Sequence, residues 1–275
     1  MKSYFVTLLS SENYLDGILC LNQNLLNVAS KYPLLCVVSD DVAIDVIPYL
    51  KFFDIEYVIV NKHQYCCGSN DSVENIRLSN TATKIAIYGI DMLDKSIYID
   101  GDTFVLKNVD NLFNYPAGSA TIIFNNNGNT RMAMSSLFSF VPCRSMYNLL
   151  QVCIKYAGKM LDGGIIGAIF NDNIQNDIMV FPPEIYHKVL PLDTPSSLAD
   201  TKDVSIVHFL NSPTKPWQMT DEEFEQHWGK HECMKQYKKC LDAVREKKNK
   251  LKKLIETSKL LMNQEIENIN KSLGI

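Results

Sequence analysis

The sequence predicts an α/β fold in which a mixed or parallel central sheet is flanked by helices. The main observation is that apolar, β-branched segments such as 5–9 and 34–38 alternate with segments of helical spacing such as 14–30. Alternation of this kind is typical of strands whose connecting helices cover the faces of one sheet. The second observation is size, because 275 residues with 46% hydrophobic side chains can bury the core of one large domain plus an appendage.

The predicted elements follow in order along the chain. Segments with strand patterns are 5–9, 34–38, 56–60, 97–99, 120–123, 137–141 and 205–209. Segments with helical patterns are 14–30, 42–52, 82–93 and 146–156, and the second of these contains Pro48. Residues 63–72 are polar and predict a loop, whereas the chain is Gly-rich from Leu161 and Pro-rich and irregular around 182–195.

The last part of the chain differs in composition from the rest. Residues 221–275 are highly charged and contain no Pro, and their apolar residues recur at roughly helical spacing. These apolar positions are Leu241, Val244, Leu251, Leu254, Leu261 and Ile266. We therefore predict a main domain over 1–220 and a charged helical tail over 221–275. We expect the apolar stripe of this tail to be buried against the main domain or against a partner such as a second copy in a homodimer.

Charge and hydropathy exclude several classes of protein. The net charge is −4 and the pI is near 5.8, so there is no global basic field for nucleic acid. No segment approaches the roughly 18 uninterrupted apolar residues that span a bilayer. The first residues lack a small-residue cleavage site, so we expect a strand there rather than a signal peptide. The eight cysteines contain no C-x-x-C pair, which predicts reduced thiols in a cytoplasmic protein.

Two carboxylates follow the predicted strand 97–99 and are separated by one glycine, as Asp100-Gly101-Asp102. Side chains at i and i+2 project to the same side of an extended backbone, so one divalent cation could meet both carboxylates. The pair has no other evident partner in the sequence, and we expect Gly101 to let the backbone approach a bulky ligand closely. Mg²⁺ or Mn²⁺ with phosphate oxygens in its shell is the usual arrangement for a nucleotide substrate. A surface turn is the alternative interpretation of the triplet.

Four sequence blocks resemble the glycogenin-like glycosyltransferases of family 8. The most specific is 100–106 followed by 109–113, which is similar to the family's "D-x-D-T-x-V-L…D-L-F" stretch. The other blocks are Phe5-Val6-Thr7-Leu8 with Tyr14 and Gly17, then Leu161-Asp162-Gly163-Gly164 with Gly167, and finally His208-Phe209-Leu210 with Lys215-Pro216-Trp217. The resemblance covers about residues 3–220 and does not include the tail.

The resemblance implies a GT-A fold, which is a Rossmann-like single domain, and a retaining enzyme. This enzyme would move a hexose, with glucose as the first candidate, from a UDP-sugar donor to a hydroxyl acceptor of unknown identity. The implied cofactor is Mn²⁺, with Mg²⁺ as the alternative, and an imidazole beside two carboxylates suits Mn²⁺ better.

The resemblance also assigns roles to single residues. The implied metal ligands are Asp100, Asp102 and His208. The implied donor-binding residues are Leu8, Ser10 and Tyr14 at the uridine, Gly101 and Asp102 near the ribose, Lys215 at the diphosphate and Lys84 at the donor. The implied catalytic residues are Asp162 and Lys84.

The sequence departs from the family pattern mainly in the sugar-binding half. Ile165 and Ile166 stand where the family has aspartate and glutamine, and Met134 stands where it has asparagine. The spacing from the histidine to the lysine is one residue longer, with Asn211 in place of glycine. These departures predict slow transfer or slow hydrolysis of the donor. They also leave open an alternative function as a degenerate, non-catalytic protein that binds a UDP-sugar.

Structural roles are the alternatives for several of these residues. Asp162 could cap a turn, His208 could be a buried strand histidine satisfied by the backbone, and Lys84 could be a solvated helix residue. His227 and His231 stand at i and i+4, a spacing that can bind metal. Without the accompanying glutamate, we interpret them as a solvated pair.

Overall fold

The computed structural model describes residues 2–62, 81–124, 131–156, 180–186, 188–189, 203–209 and 215–273. Its strands are β1 (Phe5–Leu9), β2 (Leu34–Ser39), β3 (Glu56–Val60), β4 (Ser96–Ile99), β5 (Thr103–Val105), β6 (Ala120–Phe124), β7 (Arg131–Phe140), β8 (Lys188–Val189) and β9 (Ile206–His208). Its α-helices are α1 (Leu15–Asn27), α2 (Ala43–Phe52), α3 (Arg144–Tyr156), α4 (Pro183–Tyr186), α5 (Asp221–Trp228) and α6 (Glu232–Leu273). Short 3-10 helices cover Glu12–Tyr14, Thr83–Gly89, Asp110–Asn114 and Pro216–Gln218.

Six strands form a mixed central sheet in the order β3-β2-β1-β4-β7-β6. The four strands from β3 to β4 are parallel, and β7 runs antiparallel to both β4 and β6. A second sheet has the order β5-β9-β8, with β5 antiparallel to β9 and β8 parallel to it. The mixed sheet that the sequence predicts is therefore confirmed, and β4 is one of its two central strands.

Side chains of the central sheet alternate between two hydrophobic clusters. On β2, Leu34, Cys36 and Val38 belong to one cluster, whereas Leu35 and Val37 belong to the other. The first cluster includes residues of α1, α2 and the tail, and the second includes residues of the 3-10 helix Thr83–Gly89 and of α3. Because both faces of the sheet are covered at its centre, β1, β2 and β4 are buried along almost their whole length, whereas the edge strand β3 is partly exposed.

The beginning of the tail is part of the main hydrophobic core. Phe224, Trp228, Tyr237, Leu241 and Val244 are each at most 2% exposed and share a cluster with β1, β2 and β4. Helix α6 therefore packs on α1 and α2, and α5 joins the same core through Phe224 and Trp228. The tail residues and the strands thus share one continuous core. The predicted division of the chain between residues 220 and 221 stays a prediction.

The end of the tail helix is solvent-exposed. Leu254 and Leu261 are each 59% exposed, and Ile266 is 48% exposed. Leu241 and Val244 are thus buried against the main domain, as predicted. The chain itself does not cover Leu254 and Leu261, so their burial against a partner stays a prediction. Helix α6 has 42 residues and the helix α1 on which it packs has 13, so α1 is too short to cover the whole of α6. A homodimer stays a prediction.

Two other elements differ from their predicted bounds. The helix predicted over 82–93 is a 3-10 helix that ends at Gly89, and every residue from Thr83 to Tyr88 is buried. A segment that is buried on all sides has no polar face, so its sequence lacks the amphipathic pattern from which the end of a helix can be predicted. The strand predicted over 137–141 begins six residues earlier, at Arg131. The prediction missed this beginning because Ser135 and Ser136 interrupt the apolar pattern of the strand. Among the described residues, no helix is long and apolar enough to cross a membrane.

Candidate active site

The two carboxylates lie in a tight turn at the end of strand β4. Asp100 follows Ile99 directly, and the Thr103 hydroxyl donates a hydrogen bond to the Asp100 carbonyl at 2.7 Å. The Tyr98 hydroxyl donates to Asp100 Oδ1 at 2.8 Å, and Tyr98 itself is 1% exposed. The Asp100 side chain is 23% exposed, whereas that of Asp102 is 10% exposed. One carboxylate therefore reaches solvent and the other is enclosed by protein.

The small sheet places a histidine beside this turn. Strand β5 begins at Thr103, immediately after Asp102, and Thr103 pairs with His208 in the antiparallel ladder to β9. The His208 ring is 1% exposed, and its Nε2 lies 3.0 Å from Asp102 Oδ1 and 3.9 Å from Asp100 Oδ2. This contact joins residues 106 positions apart in the sequence. The three predicted metal ligands are thus brought together.

A lysine completes the same cluster from the segment that follows β9. Lys215 is 8% exposed, and its Nζ donates to Asp102 Oδ2 at 2.8 Å and to the Phe209 carbonyl at 2.6 Å. The 3-10 helix that begins after Lys215 holds this position, because Trp217 Nε1 donates to the Asn13 carbonyl at 2.7 Å. Trp217 also packs edge-on against Tyr14, with ring centroids 5.6 Å apart.

A second lysine engages the other carboxylate. Lys84 is 4% exposed, so the alternative of a solvated helix residue is wrong. Its Nζ lies 3.1 Å from Asp100 Oδ1 and donates to the Ser135 carbonyl at 2.9 Å. It also lies 4.7 Å from the centroid of the Tyr98 ring. The expectation that the carboxylate pair has no other partner is therefore wrong, because each carboxylate has its own lysine.

Gly101 permits close approach of a helix, where the sequence led us to expect a bulky ligand. A Cβ at Gly101 would lie 2.7 Å from Ile18 Cγ1, and a Cβ at Gly17 would lie 2.7 Å from the Gly101 carbonyl oxygen and 2.9 Å from the Trp217 ring. Two glycines thus let helix α1 contact the aspartate turn directly. The expectation that Gly101 makes room for a ligand is therefore wrong, since Ile18 occupies the space that a Cβ would fill.

The electrostatics of the cluster favour ionised Asp102. Burial alone would raise the pKa of this carboxyl, but His208 and Lys215 together outweigh burial and lower that pKa well below its usual range. Asp102 is therefore a carboxylate at neutral pH, as a metal ligand must be.

The donor set fits a divalent cation. Ligand atoms of Asp100, Asp102 and His208 all lie within 4.8 Å of one another, and no other such cluster of three occurs among the described residues. Two carboxylate oxygens and one imidazole nitrogen are groups that ligate divalent cations in proteins. His227 and His231 lie outside the cluster.

The remaining predicted residues divide into two groups. Leu8, Ser10 and Tyr14 are half-buried at and just beyond the end of β1, and the Tyr14 ring centroid lies 5.9 Å from Lys215 Nζ. Asp162 and Ile165, together with the rest of the Gly-rich block, lie outside the described residues, so the role of Asp162 stays a prediction.

Sequence reasoning did not identify two residues that support the cluster. Tyr98 holds Asp100 through its hydroxyl, and Ser135 holds Lys84 through its carbonyl. An apolar strand pattern contains no sign of the first contact. The second joins β7 to a 3-10 helix 51 residues away, and no local pattern indicates it.

Comparisons with known proteins agree with this architecture. The family model described as Glycosyl transferase family 8 matches residues 5–138. Glycogenin-1 of Caenorhabditis elegans is 30% identical over 250 residues, which cover 84% of this chain and 55% of that protein. Glycogenin-1 of Oryctolagus cuniculus is 27% identical over 226 residues, covering 78% of this chain and 66% of that protein. The chain thus spans between about half and two thirds of the length of these relatives.

Solved structures support the fold. The structure of the galactosyltransferase LgtC, in complex with donor and acceptor sugar analogs, is similar with a TM-score of 0.55 at 13% identity. The aligned region covers 87% of this chain and 95% of the LgtC chain. The apo form of the glycosyltransferase GlyE of Streptococcus pneumoniae has a TM-score of 0.51 at 14% identity, covering 90% of this chain and 64% of its own. These likenesses confirm the predicted GT-A fold.

Proposed function

Because this chain belongs to glycosyltransferase family 8 and is glycogenin-like, we propose that it transfers a hexose from a UDP conjugate to a hydroxyl group. The observation that carries the proposal is the convergence of Asp100, Asp102, His208 and Lys215 at one end of the central sheet. These residues come from two segments more than 100 positions apart, yet they form one cluster in which only Asp100 reaches solvent. Glucose is the first sugar to test, as the family resemblance implies.

In this proposal Asp100, Asp102 and His208 hold the divalent cation. Mn²⁺ is the first candidate because it accepts a nitrogen ligand readily, and Mg²⁺ is the alternative. When bound, such an ion supplies positive charge that stabilises the negative charge on a departing diphosphate. His208 would ligate through its neutral imidazole, and its position is fixed by the ladder between β5 and β9.

The protein's own groups would do the rest of the chemistry. Lys215 would place its ammonium on the diphosphate, and Lys84 would keep Asp100 oriented through the ion pair of 3.1 Å. Transfer with retention would break the bond from the sugar carbon to the diphosphate and form the bond to the acceptor oxygen on the same face. The acceptor's proton would pass to the departing diphosphate. Asp162 would position the sugar, and positioning of this kind supplies several kcal/mol.

Compartment and assembly form part of the proposal. We place the protein in the cytoplasm, which agrees with six free thiols among the described cysteines. The exposed apolar residues of α6, including Leu254 and Leu261, would suit a second copy of the chain. The acceptor would be a hydroxyl-bearing molecule.

The test is release of UDP from a panel of UDP-sugars, with and without Mn²⁺. We expect Mn²⁺-dependent release by the wild type, which Asp102→Asn lowers by at least about a hundredfold because an interaction at the developing charge is lost. Asp91→Asn is the matched control, since Asp91 is an exposed carboxylate paired with Arg144 outside the cluster. Mn²⁺-dependent binding of UDP-sugars without any release, across donors and acceptors, would favour the non-catalytic binding protein.

A further inference from the structure

The charges of the candidate active site cancel in pairs. Asp102 Oδ2 accepts from Lys215 Nζ at 2.8 Å, and Asp100 Oδ1 lies 3.1 Å from Lys84 Nζ. The oxygens nearest His208 are the other two, Asp102 Oδ1 and Asp100 Oδ2. The lysines and the histidine therefore use opposite oxygens of the same two carboxylates. A cation beside His208 would share both carboxylates with the two ammonium groups.

This arrangement makes the site a poor binder of a cation alone. Among the described residues of the site, two carboxylates and two ammonium groups leave no net negative charge while His208 is neutral, as ligation requires. A dication added alone would leave uncompensated positive charge where Asp102 and Lys215 are only 7% and 8% exposed. Uncompensated charge is costly in such a buried place. A diphosphate added alone would leave uncompensated negative charge beside the two carboxylates, so its binding would also be disfavoured.

We propose that Lys215 couples the binding of the divalent cation to the binding of the nucleotide diphosphate. In the free protein Lys215 neutralises Asp102 and weakens cation binding. When both ligands are present, the diphosphate is the partner of the ammonium and the cation is the partner of Asp102. The inference rests on the proposed function, because it concerns the same cation and the same nucleotide.

Lys215, rather than Lys84, is the coupling residue because its surroundings differ. The ammonium of Lys84 is held by the Ser135 carbonyl at 2.9 Å and lies over the Tyr98 ring, and both partners belong to the central sheet. Lys215 follows β9 instead, and its ammonium lies 5.9 Å from the Tyr14 ring, beside the end of β1. Lys215 is therefore the lysine on the side where the nucleotide is expected.

The experiment measures Mn²⁺ binding to the full chain by electron paramagnetic resonance of the free ion, with and without UDP. We expect UDP to raise the Mn²⁺ affinity of the wild type by a factor between about 5 and 150, and Mn²⁺ to raise the UDP affinity by the same factor. Lys215→Gln keeps a donor for the Phe209 carbonyl but removes the charge. We expect this variant to bind Mn²⁺ more tightly than the wild type without UDP, and to show a smaller effect of UDP.

Three controls make the result specific. Lys238→Gln removes a lysine paired with Asp221 and Asp242 on the tail helix, and it should leave both affinities unchanged. Lys215→Arg keeps the charge and should retain the coupling. Lys215→Met serves as a second neutral variant if Lys215→Gln does not fold, as judged by thermal unfolding.

The outcomes separate this inference from the proposed function. A wild type that binds neither Mn²⁺ nor UDP contradicts the proposed function itself. A wild type that binds both, but with an Mn²⁺ affinity that UDP does not change, overturns the coupling and also the metal dependence of UDP binding, because the two effects are reciprocal. Only the coupling role of Lys215 is overturned if UDP raises the Mn²⁺ affinity of the wild type but neutral variants at Lys215 bind Mn²⁺ no more tightly than the wild type in the absence of UDP.

Discussion

A single methyl group at Gly101 is predicted to disturb the contact between helix α1 and the aspartate turn. A Cβ at this position would lie 2.7 Å from Ile18 Cγ1 and 3.2 Å from its Cδ1, whereas ordinary contacts are 3.4–4 Å. Ile18 is fully buried and cannot move to solvent. Overpacking of this kind costs about 1–3 kcal/mol of unfolding free energy. For a domain of this size, Gly101→Ala should lower Tm by between about 2 and 12 °C.

The assay is thermal and denaturant unfolding of a double-mutant cycle between Gly101→Ala and Ile18→Ala. Ile18→Ala alone should cost about 2–5 kcal/mol, as a deletion in the core does. In the Gly101→Ala background it should cost at least about 1 kcal/mol less, because it also relieves the overlap. Gly89→Ala is the control, since the atoms nearest to a Cβ there belong to the half-buried Tyr147 ring, at 3.2 Å or more. Additive effects of the two substitutions, or a Gly101→Ala variant as stable as the wild type, would refute this reasoning.

Three further predictions concern the site, the tail and alkaline pH. Tyr98→Phe removes a hydrogen bond to a candidate metal ligand and should weaken Mn²⁺ binding about tenfold. Tyr88→Phe should not, because the buried Tyr88 hydroxyl has no hydrogen-bond partner within the part of the chain that the structure describes; equal affinities of the two variants in a titration would contradict this. Leu241→Ala should cost about 2–5 kcal/mol in denaturant unfolding and Leu254→Ala less than about 0.5 kcal/mol, since their exposures are 1% and 59%; similar costs would show that the end of the tail is also buried. Burial raises the pKa of Tyr186 to about 12 from an ordinary value of 10. The stability that the neutral Tyr186 contributes is therefore complete below pH 10 and is lost as pH rises to about 12. A Tyr186→Phe variant that loses the same stability at alkaline pH would contradict the assignment of this loss to Tyr186.

The presence and approximate bounds of the parallel strands were predictable because they depend on local patterns. The parallel strands read as mainly apolar runs separated by helical segments, and all four appear in the structure near their predicted bounds. The aspartate turn was predictable for the same reason, since Asp100 and Asp102 interrupt an apolar run. The strand containing Ser135 and Ser136 was truncated in the prediction because its pairing with β4 and β6, and not its composition, makes it a strand.

The assembly of the site was predictable only in part. His208 and Lys215 could be placed beside the aspartates through a family resemblance, whereas their own neighbours in the sequence give no such indication. The pairing of Lys84 with Asp100 and the packing of Ile18 on Gly101 depend on how distant segments meet. Such contacts follow from the tertiary structure, and a sequence pattern cannot indicate them.

Binding of UDP measured by titration calorimetry, with Mn²⁺ and with EDTA, tests most directly whether the Asp100, Asp102 and His208 cluster is a metal-dependent nucleotide site. We predict that the wild type binds UDP in the presence of Mn²⁺ and loses that binding in EDTA, and that Asp102→Ala does not bind UDP in either condition. Thermal unfolding of the variant serves as the folding control. Tight UDP binding by Asp102→Ala in EDTA would contradict the metal assignment and the function proposed from it.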